Sequence, residues 1–241
     1  MLSQNTAIAH SYTKCSHCGL MKLCLPFGLD PQDMTHLENI IKLSAPYNDN
    51  QPVFHANQSF EHVYAVKSGM FKSVVIDANG NEHILGFHLP GELFGLDAIY
   101  PKKYLSNAIS LGTSTACVIH YTDLETLSGK LPSLQRQLFC LMSKEVNTSQ
   151  LMSVEHPADQ KLAGFILSLS VRYKERGYSQ TRINLMMPRR DIASHLNMAS
   201  ETVSRLFKRF QQEGLIYIKR SDLQITNMNA LKQLAGCASS C

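Results

Sequence analysis

The feature that most constrains the fold is a series of short segments between residues 51 and 120 in which apolar and polar side chains alternate. Turn signals such as Asn79-Gly80 and Pro90-Gly91 separate these segments. A period of two is typical of half-buried strands, and several short strands at this spacing favour a compact sandwich or barrel. The sequence therefore predicts a β domain in the first half of the chain.

Helical patterns lie on both sides of this β domain. Pro157 suits the first turn of a helix over residues 157–176, and Gly177 closes that pattern. A shorter helix is predicted over residues 30–45, where apolar side chains recur at helical spacing. Its apolar stripe comprises Met34, Leu37, Ile40 and Ile41.

A longer helical pattern, roughly residues 130–153, carries two apolar faces. One such face suits packing on the β domain, whereas the other could meet the same helix of a second subunit. Burial of both faces within one chain fits the pattern equally well. The first face comprises Leu134, Leu138 and Leu141, and the second comprises Phe139, Met142 and Val146.

The composition bounds the class of protein. With 44% hydrophobic and 17% charged residues the chain can bury a core. It contains no apolar stretch near the roughly 18 residues that a membrane span needs, and its start lacks the layout of a secretory signal. We therefore expect a cytoplasmic protein without a membrane partner. Seven cysteines are an odd number and many for that compartment, so metal ligation is a better explanation than disulfides.

Three cysteines, Cys15, Cys18 and Cys24, lie within ten residues of one another. This spacing suits one metal centre, either a four-iron, four-sulfur cluster or a structural zinc ion, and each would need a fourth ligand. His17 could complete a zinc site. Cys117 lies in a predicted strand, where its position alone favours a small core residue.

Residues 188–213 have the pattern of a helix, a tight turn and a second helix. Pro188 suits the first position of the first helix, Asn197 begins the break, and Ser200 suits the N-cap of the second helix. Gly214 suits the stop, and the alternation that follows predicts a two-stranded wing. The sequence therefore predicts a winged helix-turn-helix, whose second helix reads the major groove of double-stranded DNA.

Basic charge is concentrated around this segment, because residues 181–220 hold eight basic and three acidic residues. Such a concentration is typical of a phosphate-binding surface. Arg205 can donate two hydrogen bonds to guanine, and Glu201 can accept one from cytosine. Three further side chains are better placed for phosphates, where they position the protein without discriminating sequence. These phosphate contacts are Arg190, Lys208 and Arg209.

The whole layout resembles the superfamily of the cyclic-AMP receptor protein and FNR, and most closely its oxygen-sensing FNR branch of transcription regulators. The resemblance extends from Cys15 to about Ala235. It depends on the cysteine trio, on Cys24-Leu-Pro-Phe, on GFHLPGELFGLDAI, on Cys117, on LMSKE and on SETVSRLFKRF. It implies an α+β fold with an N-terminal β-roll resembling cyclic-nucleotide-binding domains, a long dimerisation helix and a C-terminal winged helix-turn-helix.

The resemblance also implies a ligand set, base contacts and partners. Cys15, Cys18, Cys24 and Cys117 would hold one oxygen-labile 4Fe–4S cluster per subunit, and Ser204 would join the base-reading residues. The homodimer would pair through the second face of the long helix and bind two-fold sites with TTGAT-like half-sites. RNA polymerase would contact β-roll loop residues Asp77, Gly80 and Glu82.

Two positions argue against a cyclic nucleotide as the ligand. Aligned through PGELFG, the acidic residue that would bind ribose falls on Leu96, and the arginine that would pair with the cyclic phosphate falls on Ser106. A phosphate without its charged partner is poorly held. Gly19 departs from the FNR pattern, because a side chain after Cys18 could tune the stability of the cluster in air and glycine has none.

Together with this resemblance, the sequence predicts a cytoplasmic, oxygen-responsive transcription regulator, an activator of anaerobic functions, that is not an enzyme. The alternatives left open are a regulator of the same fold with structural zinc or another redox input, and an iron–sulfur electron carrier. The expected domains are a cysteine-rich segment (1–29), the β-roll (30–129), the dimerisation helix (130–156) and the DNA-binding domain (157–241).

Overall fold

The structure, a computed structural model, describes residues 8–12, 14–152 and 155–236. The chain divides into two compact units, Met1–Met152 and Ser153–Cys241. The first unit contains one large sheet, with one helix before most of its strands and two helices after them, and short 3-10 turns at Cys15–His17, Met21–Leu23 and Leu96–Ala98. Its elements are β1 (Ile8–Tyr12), α1 (Pro31–Ile40), β2 (Ile41–Ser44), β3 (Pro52–Phe54), β4 (His62–Ile76), β5 (Glu82–His88), β6 (Leu93–Phe94), β7 (Asn107–His120), α2 (Tyr121–Lys130) and α3 (Pro132–Met152).

The antiparallel sheet runs in the order β1-β2-β7-β4-β5, with β3 on β7 and β6 on β4. The predicted β domain is therefore confirmed. The Asn79-Gly80 turn joins β4 to β5, and Gly80 has a φ of +83°, which glycine adopts without a steric penalty. In the register of β7, Cys117 pairs with Leu43 on one side and with Ala65 on the other. This pairing holds Cys117 in the middle of the sheet.

Helix α1 begins where Asp30 caps it, since the Asp30 carboxylate accepts hydrogen bonds from the backbone N–H groups of Gln32 and Asp33. Met34 and Leu37 are buried as the apolar stripe predicts. The helix ends earlier than the pattern suggested, because the chain becomes extended at Ile41 and pairs there with β7 as strand β2.

Helix α3 separates its two apolar faces. Leu134 is fully buried, and Leu138 and Leu141 pack partly buried against the same core. On the second face Phe139, Met142 and Val146 are 63%, 39% and 55% exposed. The alternative of a helix buried on both sides within one chain is therefore wrong for these residues, and the second face is free for another copy of the chain.

The second unit contains α4 (Ala158–Glu175), β8 (Arg182–Asn184), α5 (Arg189–His195), α6 (Ser200–Gln212), β9 (Ile216–Lys219), β10 (Asp222–Ile225) and α7 (Met228–Leu234). The winged helix-turn-helix is confirmed. Its strand order is β8-β10-β9, so a strand before the two helices completes the predicted two-stranded wing.

Three predicted helix starts are each displaced by one residue. Pro157 is the N-cap of α4 and lies just before its first turn. Pro188 is extended and precedes α5, whereas the sequence placed it at the first helical position. Ala199, at φ −68° and ψ 144°, occupies the cap of α6 without a side-chain hydrogen bond, so Ser200 is the first helical residue. Asn197 takes a φ of +52° in the turn, which allows the short break between the helices.

Candidate metal centre and nucleic-acid interface

Three of the cysteines lie on successive tight turns between β1 and α1. The Cys18 N–H donates to the Cys15 carbonyl at 2.9 Å, and the Met21 N–H donates to the Cys18 carbonyl at 3.1 Å. The Phe27 N–H then donates to the Cys24 carbonyl at 3.2 Å. Such turns wind the chain tightly, and they bring the three thiols to one side of the segment.

The structure brings all four predicted cysteine ligands to one cavity. The cavity has about 390 Å³ of atom-free volume, its open mouth included. Cys117 reaches the cavity from the sheet. Ala65, its partner on the neighbouring strand, lies in the same wall. The remaining wall is largely apolar: Leu20, Met21, Pro26, Ile41, Val66, Lys67, Gly91 and Ile119.

This cavity is not a preformed site for a single ion. Among the residues whose side chains the structure describes, no group of three or more His, Cys, Asp or Glu residues is arranged to hold one metal ion. A zinc ion would draw its thiolates to about 2.3 Å from one centre. His17 is exposed, and its Nδ1 lies 3.2 Å from Ser16 Oγ, so the geometry gives it no role as a fourth ligand.

Burial governs the acidity of two of the thiols. Burial together with the neighbouring Cys117, Cys18 and Glu38 raises the pKa of Cys15 to about 12. Burial also raises the pKa of Cys24 to about 12. Both groups are therefore neutral thiols at pH 7 in the metal-free chain, and metal binding must displace their protons.

The cysteine segment is hydrogen-bonded to α3. Gln137 Nε2 donates to the Cys24 carbonyl at 3.1 Å. Close by, Ser133 Oγ donates to Asp33 Oδ2 at 3.2 Å and joins α3 to α1. Sequence reasoning missed Gln137, because a glutamine on a helix gives no indication of its partner. This arrangement connects the candidate metal centre directly to the candidate dimer helix.

The other cysteines are not part of this cavity within the described residues. Cys140 is exposed on α3. Cys237 and Cys241 lie outside the residues that the structure describes. Among the described thiols, those that line the cavity are therefore the four that the family resemblance implied.

Helix α6 separates its buried face from its exposed one. Buried Val203, Leu206 and Phe210 fix the helix in its domain. The three predicted base-reading residues, Glu201, Ser204 and Arg205, are exposed, as Lys208 is. Arg205 Nη2 lies 3.4 Å from Thr202 Oγ1, a neighbour that sequence reasoning missed.

Arg190 and Arg209, the other two residues predicted to contact phosphate, differ in how closely ion pairs within the protein engage their side chains. The Arg190 side chain is 74% exposed, and its Nε lies 3.4 Å from Asp191 Oδ1. Arg209 Nη2 instead lies 2.8 Å from Asp159 Oδ2, and its Nε lies 3.5 Å from Glu213 Oε1. Arg209 therefore ties α6 to α4, and this ion pair competes with the predicted phosphate contact.

Arg189 differs from the adjacent Arg190 in a way that a count of charges does not show, because it packs against an aromatic ring. Its guanidinium lies 3.6 Å from the centre of the Phe207 ring. Stacking of this kind is attractive, and it joins α5 to α6. Burial lowers the pKa of Arg189, in keeping with a packing role for this residue.

The β4–β5 hairpin presents the residues predicted to contact polymerase. Asp77 Oδ1 accepts hydrogen bonds from the N–H groups of Asn79 at 2.8 Å and Asn81 at 2.9 Å. Hydrogen bonds from Asn81 and His83 lower the pKa of Asp77. Gly80 and Glu82 are exposed beside it. The hairpin is therefore a well-defined exposed turn.

The two positions that decide against a cyclic nucleotide are also placed. Leu96 is partly buried and packs against the core of the first unit, and Ser106 is 2% exposed. Neither side chain carries a charge that could pair with a ribose hydroxyl or a phosphate. In the described part of the chain, no helix is both long and apolar enough to cross a membrane.

Comparisons with known proteins agree with this architecture. Residues 45–130 match the model of the cyclic nucleotide-binding domain, and residues 160–234 match that of the Crp-like helix-turn-helix domain. The solved structure of FixK2 from Bradyrhizobium japonicum superposes with a TM-score of 0.75 at 23% identity, covering 84% of this chain and 100% of that one. At this identity the likeness shows the fold.

Sequence relatives show the family. The chain is 40% identical over 225 residues to the fumarate and nitrate reduction regulatory protein of Escherichia coli K12, covering 92% of this chain and 90% of the relative. It is likewise 40% identical to the anaerobic regulatory protein of Haemophilus influenzae, covering 92% of this chain and 88% of the relative. The chain therefore belongs to the family of fumarate and nitrate reduction regulatory proteins, and it is an FNR-like transcription regulator with a DNA-binding helix-turn-helix domain.

Proposed function

We propose that this chain is an oxygen-responsive regulator which binds TTGAT-like two-fold DNA sites as a dimer while a 4Fe–4S cluster is intact. The observation that carries the proposal is the meeting of Cys15, Cys18, Cys24 and Cys117 at one cavity, although Cys117 lies far away in the sequence. Family membership alone does not bring four thiols together in this chain. Four thiols are the number of ligands that such a cluster takes, so their convergence supports the proposal.

The residues at the cavity fit that group. Thiolates are the usual ligands of iron–sulfur clusters, and the rest of the wall is largely apolar. Lys67 is the charged side chain in this wall, and its positive charge complements an anionic group. When bound, the cluster supplies a redox centre that dioxygen oxidises. The chain's own residues supply the response.

The response begins with the position of the cysteine segment. Cys24 is bonded through its carbonyl to Gln137 on α3, and neighbouring Leu25 is buried in the same core cluster as Leu134. With all four thiols engaged, this segment is held against α3. Because α3 carries the exposed seam of Phe139, Met142 and Val146, order in the segment favours the helix position that pairs two subunits.

Dimerisation then positions two copies of α6. In helix-turn-helix dimers the recognition helices match half-sites about one helical turn, roughly 34 Å, apart. On each copy Arg205 would contact guanine and Glu201 cytosine, with Ser204 beside them. Arg190 and Lys208 would hold phosphates. The exposed hairpin at Asp77, Gly80 and Glu82 would contact RNA polymerase at activated promoters.

We propose no cyclic nucleotide as the ligand of the β-roll. The match to the cyclic nucleotide-binding domain reflects its fold, whereas Leu96 and Ser106 offer neither the acidic nor the basic partner that the ligand needs. The signal is therefore expected to enter through the cysteine cavity.

Metal analysis of protein purified without oxygen tests the proposal. We expect about four iron and four sulfide per chain, a brown colour, and loss of both colour and site-specific DNA binding in air. A colourless protein with one zinc per chain would contradict the proposal and favour a structural zinc site. A brown protein without sequence-selective DNA binding would instead favour an electron carrier.

A further inference from the structure

Lys67 is placed at the cavity by an irregularity in the sheet. Along the β4–β7 pairing Val66 faces Ala116 and Ser68 faces Thr115, so one more residue is used on β4 than on β7. Lys67 is that extra residue. A bulge of this kind re-aims a side chain, and bulges are common beside functional sites. The backbone thus turns Lys67 toward the cysteines.

The contact that results is specific to one sulfur. Lys67 Nζ lies 3.2 Å from Cys18 Sγ, within hydrogen-bond reach for a sulfur acceptor, and Lys67 also lines the cavity. Glu38 carries the negative charge in this region. Its carboxylate accepts a hydrogen bond from the Ser16 N–H at 2.8 Å, so it contacts the backbone of the cysteine segment. Cys18 therefore has a cationic donor of its own.

This contact bears on the departure at Gly19. The position after Cys18 carries no side chain in this protein, and nothing lies within 4 Å of where a Cβ would be. Residue 19 therefore has no side chain that could stabilise the Cys18 sulfur. A charged donor on the sulfur is a stronger interaction than a neutral one, because it stabilises the ionised form.

We propose that Lys67 is a positioning residue which donates a charged hydrogen bond to Cys18 and sets how fast the bound cluster is lost in air. The inference rests on the proposed function. If Cys18 helps to hold a cluster, the one electron that dioxygen would remove from it would leave as superoxide, and Lys67 would keep its protons and its hydrogen bond to the Cys18 sulfur. A positive charge beside the sulfur opposes removal of that electron and slows the step.

The test compares variants of the full chain loaded with iron and sulfide without oxygen. Absorbance bleaching in air-saturated buffer gives the rate of cluster loss, and redox titration gives the midpoint potential. We expect Lys67→Met to bleach on the order of tenfold faster than the parent, with a lower potential. Lys67→Arg should stay close to the parent, and Lys67→Gln, a neutral donor, should fall between.

Lys22→Met is the matched control, because Lys22 is exposed in the same cysteine segment. The proposal is overturned if Lys67→Met bleaches at the parent rate, or if Lys22→Met bleaches as fast as Lys67→Met. If Lys67→Met does not take up iron and sulfide, uptake by Lys67→Arg but not by Lys67→Gln supports the role of the charge. Equal uptake by these two variants overturns the proposal. A parent protein without iron and sulfide overturns the proposed function itself.

Discussion

The two functional regions of this chain are built in opposite ways. The DNA-binding motif is local, since its turn, its buried face and the exposed residues predicted to read bases all lie within Pro188–Gly214. The cysteine cavity is assembled over distance, since Cys117 comes from the middle of a sheet and the other three thiols come from a turn-rich segment. A local motif can be identified from spacing alone, whereas a non-local site needs the register of the sheet.

The largest expected effect comes from replacing Cys117, the proposed ligand that is distant in sequence. Cys117→Ser should reduce iron and sulfide to background in protein prepared without oxygen, because the donor set loses the member that the sheet supplies. Cys140→Ser is the matched control, since Cys140 is exposed on α3. If Cys117→Ser kept the iron content of the parent, the two regions would not differ as described, and the segment would hold the metal by itself.

The second-largest expected effect comes from a substitution in the helix-turn-helix. Arg205→Ala should cost about 1–3 kcal/mol of discrimination at one base pair of the half-site, because a bidentate guanine contact is lost. Competition binding at fixed salt measures it.

Arg190→Ala is the comparison for Arg205→Ala, because Arg190 is exposed and is predicted to contact phosphate. It should weaken binding to all sequences alike and reduce the salt dependence. Half-site preference left untouched by Arg205→Ala would show that the exposed face of α6 does not read bases through this residue.

A smaller effect is expected where the cysteine cavity is connected to α3, the candidate dimer helix. Gln137→Leu removes the hydrogen bond to the Cys24 carbonyl, which is worth about 1 kcal/mol. The visible absorbance should match that of the parent, while the fraction of dimer falls several-fold in anaerobic sedimentation. Gln135→Leu, at an exposed position on α3, is the control. Equal dimer fractions in both variants would rule out this connection.

The smallest effect concerns the ion pair between α4 and α6. Hydrogen bonding from Arg209 lowers the pKa of Asp159. A carboxylate with a lowered pKa stabilises the fold above its ordinary pKa, near 3.9, and this stabilisation is lost as the pH falls through the lowered value.

Both side chains of this pair are partly exposed, so the coupling at pH 7 should be only about 0.5 kcal/mol. A double-mutant cycle of Asp159→Asn and Arg209→Gln in urea, at pH 7 and pH 3, measures it. A coupling that persists unchanged at pH 3 would show that charge does not hold α6 to α4.

Periodicity and turn chemistry predicted most of the fold. The buried Leu134 face and the exposed Phe139 face of α3 follow from 3–4 spacing, which also placed α6. The errors lie at helix ends, where Ala199 and not Ser200 takes the cap position, because the backbone leaves the turn extended one residue earlier. Strand β8 escaped prediction, since three residues are too few to show alternation.

The candidate site was predictable in part. Spacing grouped Cys15, Cys18 and Cys24, but the membership of Cys117 depends on its register beside Ala65, which no local pattern encodes. Lys67 and Gln137 were missed for a related reason. A bulge in β4 turns Lys67 toward the cavity, and a hydrogen bond joins Gln137 to the cysteine segment. Both features arise only from tertiary contacts.

Cys117 differs from the other three thiols at the cavity because it is paired with both neighbouring strands. One of the four thiols is anchored in a strand ladder, whereas the other three belong to a segment of turns. Losing and regaining iron is then expected to reorder that short stretch, including the core contacts of Cys15 and Leu25, while the strand ladder at Cys117 stays paired. We therefore expect repair in the cell to proceed by re-docking, so that a spent molecule is recycled and needs no replacement by new synthesis.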